Sequence, residues 1–241
     1  MILEIDAGNS RIKWRVLADG SIRERGIVTH DEATWLTMAA QCFDVSRIRV
    51  ANVAGFAVGR KLELWAQGHF GLTAEFAGSK SRVAGVINGY EAPDTLGVDR
   101  WLAIIAAWDI VRGPCLVVDV GTTLTVDLVG ATGQHRGGYI VPGFSMMFQA
   151  LFQGTSGVRF EQRQDYSRAP GKNTRDAVQN GCFLMSLALI EKALAELQQG
   201  TDVLATIVFT GGGSEPLAAC FDERAQSRQD LVLDGLALAI P

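Results

Sequence analysis

Two aspartates, each followed by a turn of small residues, are the first candidates for chemistry in this sequence. Asp6 closes the run Ile2–Ile5, apolar but for Glu4, and is followed by Gly8, Asn9 and Ser10. Asp119 closes the run Cys115–Val118 and is followed by Gly121, Thr122 and Thr123. A glycine lets the backbone approach a ligand closely and take positive φ. The hydroxyl and amide groups after it, with exposed backbone N–H groups, can wrap phosphate oxygens. A carboxylate cannot bind phosphate directly, but it can hold a hydrated Mg²⁺ that neutralises phosphate charge. One such turn is more simply a hairpin whose Asp caps it. Two in register, each at the end of an apolar strand, point instead to paired phosphate loops that clamp a polyphosphate from both sides.

A third acid stands in "NGYEAPDTLGVDRW", Asn88–Trp101. Gly97 and Asp99 open a long apolar segment that reads as a helix to Val111. Exposed N–H groups at a helix start attract anions and stabilise a carboxylate in the first turn. Asp99 can therefore be a helix-start acid with Arg100 as its surface neighbour. It can equally accept a hydroxyl proton during phosphoryl transfer, with Arg100 gripping an anionic substrate and Tyr90 lining the pocket. Generic physics does not separate these readings.

The elements that must position these residues repeat. "ILEIDAGNSRIKWRVLADG" (Ile2–Gly20) aligns without a gap on "CLVVDVGTTLTVDLVGATG" (Cys115–Gly133), and Ile27-Val28 falls opposite Ile140-Val141. Each copy reads as strand, turn, strand, turn, strand, which indicates a duplication and two similar lobes. The boundary falls at Arg112–Cys115, giving lobes 1–113 and 114–241. Helices are expected over His30–Phe43, Val58–Phe70, Gly97–Val111, Phe144–Phe152, Thr174–Gln199 and Leu231–Ile240. Strands are expected at Arg47–Asn52 and through Ile207–Phe209, with strands or extended loops near Leu72–Gly78 and Arg82–Ile87. Ser214-Glu215-Pro216 opens a further helix. The pattern is α/β without the regular βαβ alternation of a dinucleotide-binding fold.

Composition narrows the function classes. The chain has 241 residues, 48% of them apolar, and a net charge of −4 without a Lys/Arg run, so no nucleic-acid footprint is present. No run is long enough to span a bilayer, and the N-terminus lacks the basic region of a signal peptide. The four cysteines are scattered and read as buried free thiols of a cytoplasmic protein. His30, His69 and His135 show no metal-ligand spacing and read as surface or structural residues. The G-x-x-x-x-G-K-[ST] and G-x-G-x-x-G phosphate motifs are absent.

The duplicated hairpins resemble the actin, hexokinase and Hsp70 ATPase superfamily, in which two RNase-H-like lobes enclose a nucleotide cleft. "FTGGGSEPL" (Phe209–Leu217) occupies the place of that superfamily's adenosine-side glycine element, although a plain strand-to-helix turn also explains it. Within the superfamily, "DAGNS", "GY…P…LGVDR", "DVGTT", "GGYIVPG" and "NTRDAVQNG", in this order, resemble type III pantothenate kinase over essentially the whole chain. The resemblance implies phosphorylation of the primary hydroxyl of pantothenate by ATP, the first step toward coenzyme A. It further implies a homodimer that needs Mg²⁺ and a monovalent cation, K⁺ or NH₄⁺. Carried onto this chain, it makes Asp6, Ala7, Gly8, Asn9, Ser10, Arg11, Ile12 and Lys13 the first phosphate segment, with Asp6 organising Mg²⁺ through water. Gly121, Thr122 and Thr123 form the second phosphate loop, and Asp119 holds the monovalent cation. Tyr90, Gly97, Val98, Asp99 and Arg100 form the pantothenate site with Asp99 as general base, and Thr174 also touches pantothenate. Helix capping alone could explain Asn173 or Thr174. "GGYIVPG" is open between a nucleotide or interface loop and turns around a short strand. Ser10 stands where the family commonly has Thr and keeps the hydroxyl. The alternatives are another small-molecule kinase such as a sugar kinase, a phosphohydrolase, or a non-enzymatic ATP-bound regulator.

Overall fold

The computed structural model describes residues 1–42, 44–163, 165–200 and 202–241. They form two compact units, Met1–Asp109 with Asp230–Pro241, and Ile110–Gln229. The predicted end of the first helix, Phe43, lies outside the described residues.

In the first unit β1 (Ile2–Ala7), β2 (Ile12–Ala18) and β3 (Ser21–Val28) form an antiparallel meander. α1 (Glu32–Gln41) starts at Asp31, whose side chain accepts from Ala33 N at 3.0 Å, and leads to β4 (Arg47–Asn52), parallel to β1. α2 (Phe56–Phe70) ends on Gly71 with φ 66°, the left-handed cap that glycine favours, before β5 (Ala74–Phe76). The sheet order is β3-β2-β1-β4-β5. A short hairpin of β6 (Arg82–Val83) and β7 (Val86–Ile87) turns through Ala84 and Gly85, both at positive φ. It precedes α3 (Val98–Val111), in which every residue from Arg100 to Trp108 is buried. A helix apolar on all sides belongs to a core, and Trp101 and Trp108 are core residues here.

The second unit repeats the plan. β8 (Cys115–Val120), β9 (Thr123–Val129) and β10 (His135–Pro142) form the meander, followed by α4 (Phe144–Gly154) and α5 (Thr174–Leu197). β11 (Thr206–Thr210), α6 (Glu215–Ala218) and β12 (Ala225–Ser227) complete the sheet β10-β9-β8-β11-β12. The two orders are identical, as a duplication requires.

The duplication differs from the gapless alignment in one respect. Ala7 pairs with Ile12 in the first hairpin, whereas Val120 pairs with Leu124 in the second, so the second turn is one residue tighter. Because side chains alternate along a strand, that slip reassigns β9 residues to faces. Lys13 lies opposite Asp6, and its counterpart opposite Asp119 is Thr125, not Val126.

The C-terminus also departs from the division at 113/114. α7 (Leu231–Ala239) packs on β1 and β4 of the first sheet. Gly235 abuts the Leu102 carbonyl so closely that a side chain there would collide. Polar contacts hold the helix from the sheet side. Arg15, 4% exposed, donates to Glu4 at 2.7 Å and to Asp234 of α7 at 2.6 Å. Arg49 donates to the other oxygen of Glu4 at 3.1 Å. Glu4, Arg15 and Arg49 stand in one row across β2-β1-β4, so the fully buried Glu4 carboxylate is held between two cations.

Candidate active site

Asp6 and Asp119 occupy equivalent positions near the ends of β1 and β8, each half-buried, at the root of an exposed turn. In the first turn Asn9, Ser10 and Arg11 are exposed, and Gly8 N donates to Arg11 O at 3.1 Å. Ala7 and Ile12 are fully buried in the sheet core, so any ligand contact from them is through backbone. Lys13 is half-buried beside Asp6 in the β1–β2 register. In the second turn Gly121 and Thr122 are exposed, Thr123 is half-buried, and Gly121 N donates to Thr123 O at 2.9 Å.

Two glycine elements lean on that second turn. Gly143, the last residue of "GGYIVPG" and the N-cap of α4, donates its N–H to Thr122 O at 3.0 Å. A side chain at 143 would collide with the carbonyls of Gly121 and Thr122. Gly211, at φ 84°, is packed against the Asp119 carboxylate and the Val120 carbonyl, and Gly213 N donates to Val120 O at 3.0 Å. The glycine triplet thus adjoins Asp119 and the second turn, and the Ser214 hydroxyl closes the loop on Gly211 O at 2.8 Å.

The third acid sits in a separate cluster of the first unit. Asp99 is half-buried in the first turn of α3, and its Oδ1 accepts from Arg100 N at 2.8 Å. Arg100, 6% exposed, donates from Nη1 to the Tyr90 hydroxyl at 2.8 Å. Arg100 is buried, contrary to the surface-neighbour reading. Asn88, not singled out by sequence, ties the segment together. Its Oδ1 accepts from Tyr90 N at 3.0 Å, and its Nδ2 donates to Pro93 O at 3.1 Å and Lys80 O at 3.3 Å. Ser79 adds a bond to Leu96 O at 2.7 Å. The dipeptide Asn88-Gly89, a turn signal, is the one local cue in this stretch, and it does not show which groups Asn88 bonds.

Thr174 is exposed at the first position of α5 in the second unit. The cap is Asn173, whose side chain accepts from Asp176 N at 2.9 Å, so capping accounts for Asn173 and leaves the Thr174 hydroxyl without that duty. Arg175 and Asn173 hold the Asp176 carboxyl below the usual carboxylate range by hydrogen bonding. His135 is a buried structural residue, its Nε2 2.9 Å from Asp127 Oδ1. His30, read from sequence as surface or structural, has its Nε2 2.9 Å from the Gly8 carbonyl.

The donor set fits the expected cations in kind. Among the described residues no three His, Cys, Asp or Glu side chains gather to cage a metal. Asp6 and Asp119 instead offer one hard oxygen ligand group each beside an exposed turn. That is how Mg²⁺ is commonly held, by one or two carboxylates with waters and substrate phosphates filling the remaining positions.

Two units, each a five-stranded mixed sheet of one order with an acidic hairpin, define the fold class of the actin-like ATPases and sugar kinases. A Baf family protein from Campylobacter jejuni matches with a TM-score of 0.68 at 22% identity, over 99% of this chain and 96% of that one. A protein assigned as a 2-dehydro-3-deoxygalactonokinase from Sinorhizobium meliloti matches with 0.60 at 13% identity, over 99% and 98%. At these identities the likeness carries the fold alone. The family is shown by sequence. The type III pantothenate kinase family model matches residues 2–196. A type III pantothenate kinase of Ectopseudomonas mendocina is 38% identical over 100% of this chain and 99% of its own length. The chain belongs to the type III pantothenate kinase family.

Proposed function

We infer that this protein transfers the γ-phosphoryl group of ATP to the primary hydroxyl of pantothenate, giving 4′-phosphopantothenate, the first step of coenzyme A synthesis. The observation that carries this reading is the full-length match to a type III pantothenate kinase, which leaves no lobe or motif outside the alignment. The part-buried hydrogen bond from Arg100 to Tyr90 beside Asp99 supports it, because a half-buried acid next to a fixed cation suits an acceptor that carries both a hydroxyl and a carboxylate.

In this reading Arg100 pairs with the pantothenate carboxylate, and Tyr90, Gly97 and Val98 shape its pocket. Asp99 Oδ2 takes the proton of the attacking hydroxyl while Oδ1 keeps the Arg100 amide. Phosphoryl transfer proceeds through a loose transition state, so holding donor and acceptor in line carries most of the rate. Backbone N–H groups and side chains of residues 8–13, with Gly121, Thr122 and Thr123, bind the ATP phosphates. Asp6 would hold Mg²⁺ through water, and Asp119 would hold K⁺ or NH₄⁺; bound there, these cations supply neutralisation of phosphate charge. Thr174 is a further pantothenate contact.

The homodimer is supported by exposed apolar side chains of the second unit: Tyr139 and Ile140 on β10, Met146 on α4, Leu184 and Met185 on α5. α4 touches both β10 and α5, and a second copy of the chain is the occupant this reading assigns to them. All four cysteines are free, which suits the reducing cytoplasm. Among the described residues no helix is long and apolar enough to cross a membrane. The test is a coupled ADP assay with pantothenate, glucose and glycerol as acceptors. Pantothenate alone should support turnover; equal rates with glucose would overturn the assignment.

A further inference from the structure

The imidazole of His30 lies against the turn that follows Asp6. His30 stands two residues beyond β3 and one before the Asp31 cap of α1, and the pairing of Val28 with Ile12 brings this corner beside the turn. Nε2 is 2.9 Å from the Gly8 carbonyl oxygen. A carbonyl only accepts, so the ring carries its proton on Nε2. Nδ1 is buried and makes no hydrogen bond, so the ring's hydrogen bonding goes to Gly8 alone. Gly8 N is in turn bonded to Arg11 O. Both polar groups of the glycine are therefore fixed, in a turn whose next three residues are exposed.

A trans peptide is planar, and its C=O and N–H point in opposite directions. A Gly8 carbonyl held toward His30 therefore directs the Asn9 N–H away from His30, on the side opposite the ring. Glycine has unusual backbone freedom, and without an external restraint this peptide could rotate as a unit.

We propose that His30 is a positioning residue for phosphoryl transfer: its Nε2–H anchors the Gly8 carbonyl and thereby aims the Asn9 amide at the ATP phosphates. This rests on the reading of residues 6–13 as the phosphate segment. His30 touches no substrate; it acts through one backbone peptide.

The experiment compares steady-state kinetics of His30→Ala, His30→Gln and Lys13→Ala in the full-length enzyme. Losing one neutral hydrogen bond should raise the KM for ATP about three- to tenfold. The KM for pantothenate should stay within about twofold. The Gln amide reaches about as far as Nε2, so His30→Gln should restore the ATP KM to within about twofold of the parent. His30→Leu, of similar volume and without a donor, replaces Ala should that variant not fold. An unchanged ATP KM in the Ala or Leu variant, or no rescue by Gln, overturns the role of His30 while a raised ATP KM in Lys13→Ala leaves the phosphate segment standing. An unchanged ATP KM in Lys13→Ala marks instead the failure of the segment reading, and the proposal falls with it.

Discussion

Replacing Asp99 by Asn separates its contact at the helix start from its proposed role as general base. One carboxylate oxygen accepts the Arg100 amide at 2.8 Å in the first turn of α3. Asn keeps an oxygen in that place, so the helix start and the part-buried Arg100–Tyr90 bond should survive. Stability should change by no more than about 0.5 kcal/mol, the usual range for a substitution that leaves packing and partners intact. The proposed role, taking the hydroxyl proton, would be lost because an amide is not a useful base. General-base catalysis contributes roughly 10²–10⁴ in rate. At about 1.36 kcal/mol per power of ten, this is about 2.7–5.4 kcal/mol of barrier. The assay is ADP release under saturating ATP and pantothenate, with the thermal midpoint of the same preparation as control. Turnover should fall by two to four powers of ten with the midpoint and the ATP KM nearly unchanged. Wild-type turnover in a folded Asp99→Asn protein would refute the role. A fall in turnover that tracks a fall in midpoint would assign Asp99 to the helix start instead.

Other perturbations test separate links. Asp6→Asn should raise the Mg²⁺ concentration for half-maximal rate by about 10–100-fold, the usual effect of losing a group that holds a metal through water; an unchanged titration would count against that placement. Gly143→Ala drives a methyl into the Gly121 and Thr122 carbonyls and should cost about 1–3 kcal/mol in urea unfolding along with ATP turnover; full activity would show that the second turn tolerates displacement. Glu4→Gln leaves Arg15 and Arg49 buried with their shared counter-charge removed and should cost about 3–5 kcal/mol, and a loss under 1 kcal/mol would contradict the burial of that row. Burial pushes the Cys115 thiol up to about 12 and that of Cys42 to about 11, so iodoacetamide at pH 8 should modify the half-buried Cys220 first and Cys115 only in guanidinium. Early modification of native Cys115, read by peptide mass, would contradict this.

The duplicated strands were legible because apolar runs ending in Asp recur with the same turn residues, and the structure returns the same sheet order twice. The helices were legible from apolar periodicity and caps, and α5 begins at Thr174 as expected. The one-residue tightening of the second hairpin was not, because a gapless alignment scores residue types while register is set by the turn's own hydrogen bonds. The return of α7 to the first sheet was equally hidden. Its partners, Leu102 and Arg15, are distant in sequence, and nothing local marks them. Within the candidate site, residue types with chemical meaning stood out: Asp6, Asp99, Arg100, Asp119. The residues that fix the neighbouring backbone did not. Asn88 and His30 act through backbone carbonyls and amides, and any sequence can supply those groups. Arg100 next to a charged helix start was open between a surface residue and an anion-binding one, and nothing local marks its burial against the distant Tyr90 hydroxyl.

Following the terminal phosphoryl group of ATP tests whether it passes to an alcohol. With γ-labelled ATP, Mg²⁺ and K⁺, label should pass to an organic phosphate only when pantothenate is present, one label for each ADP formed. Label released as inorganic phosphate at the same rate with or without pantothenate would contradict the account.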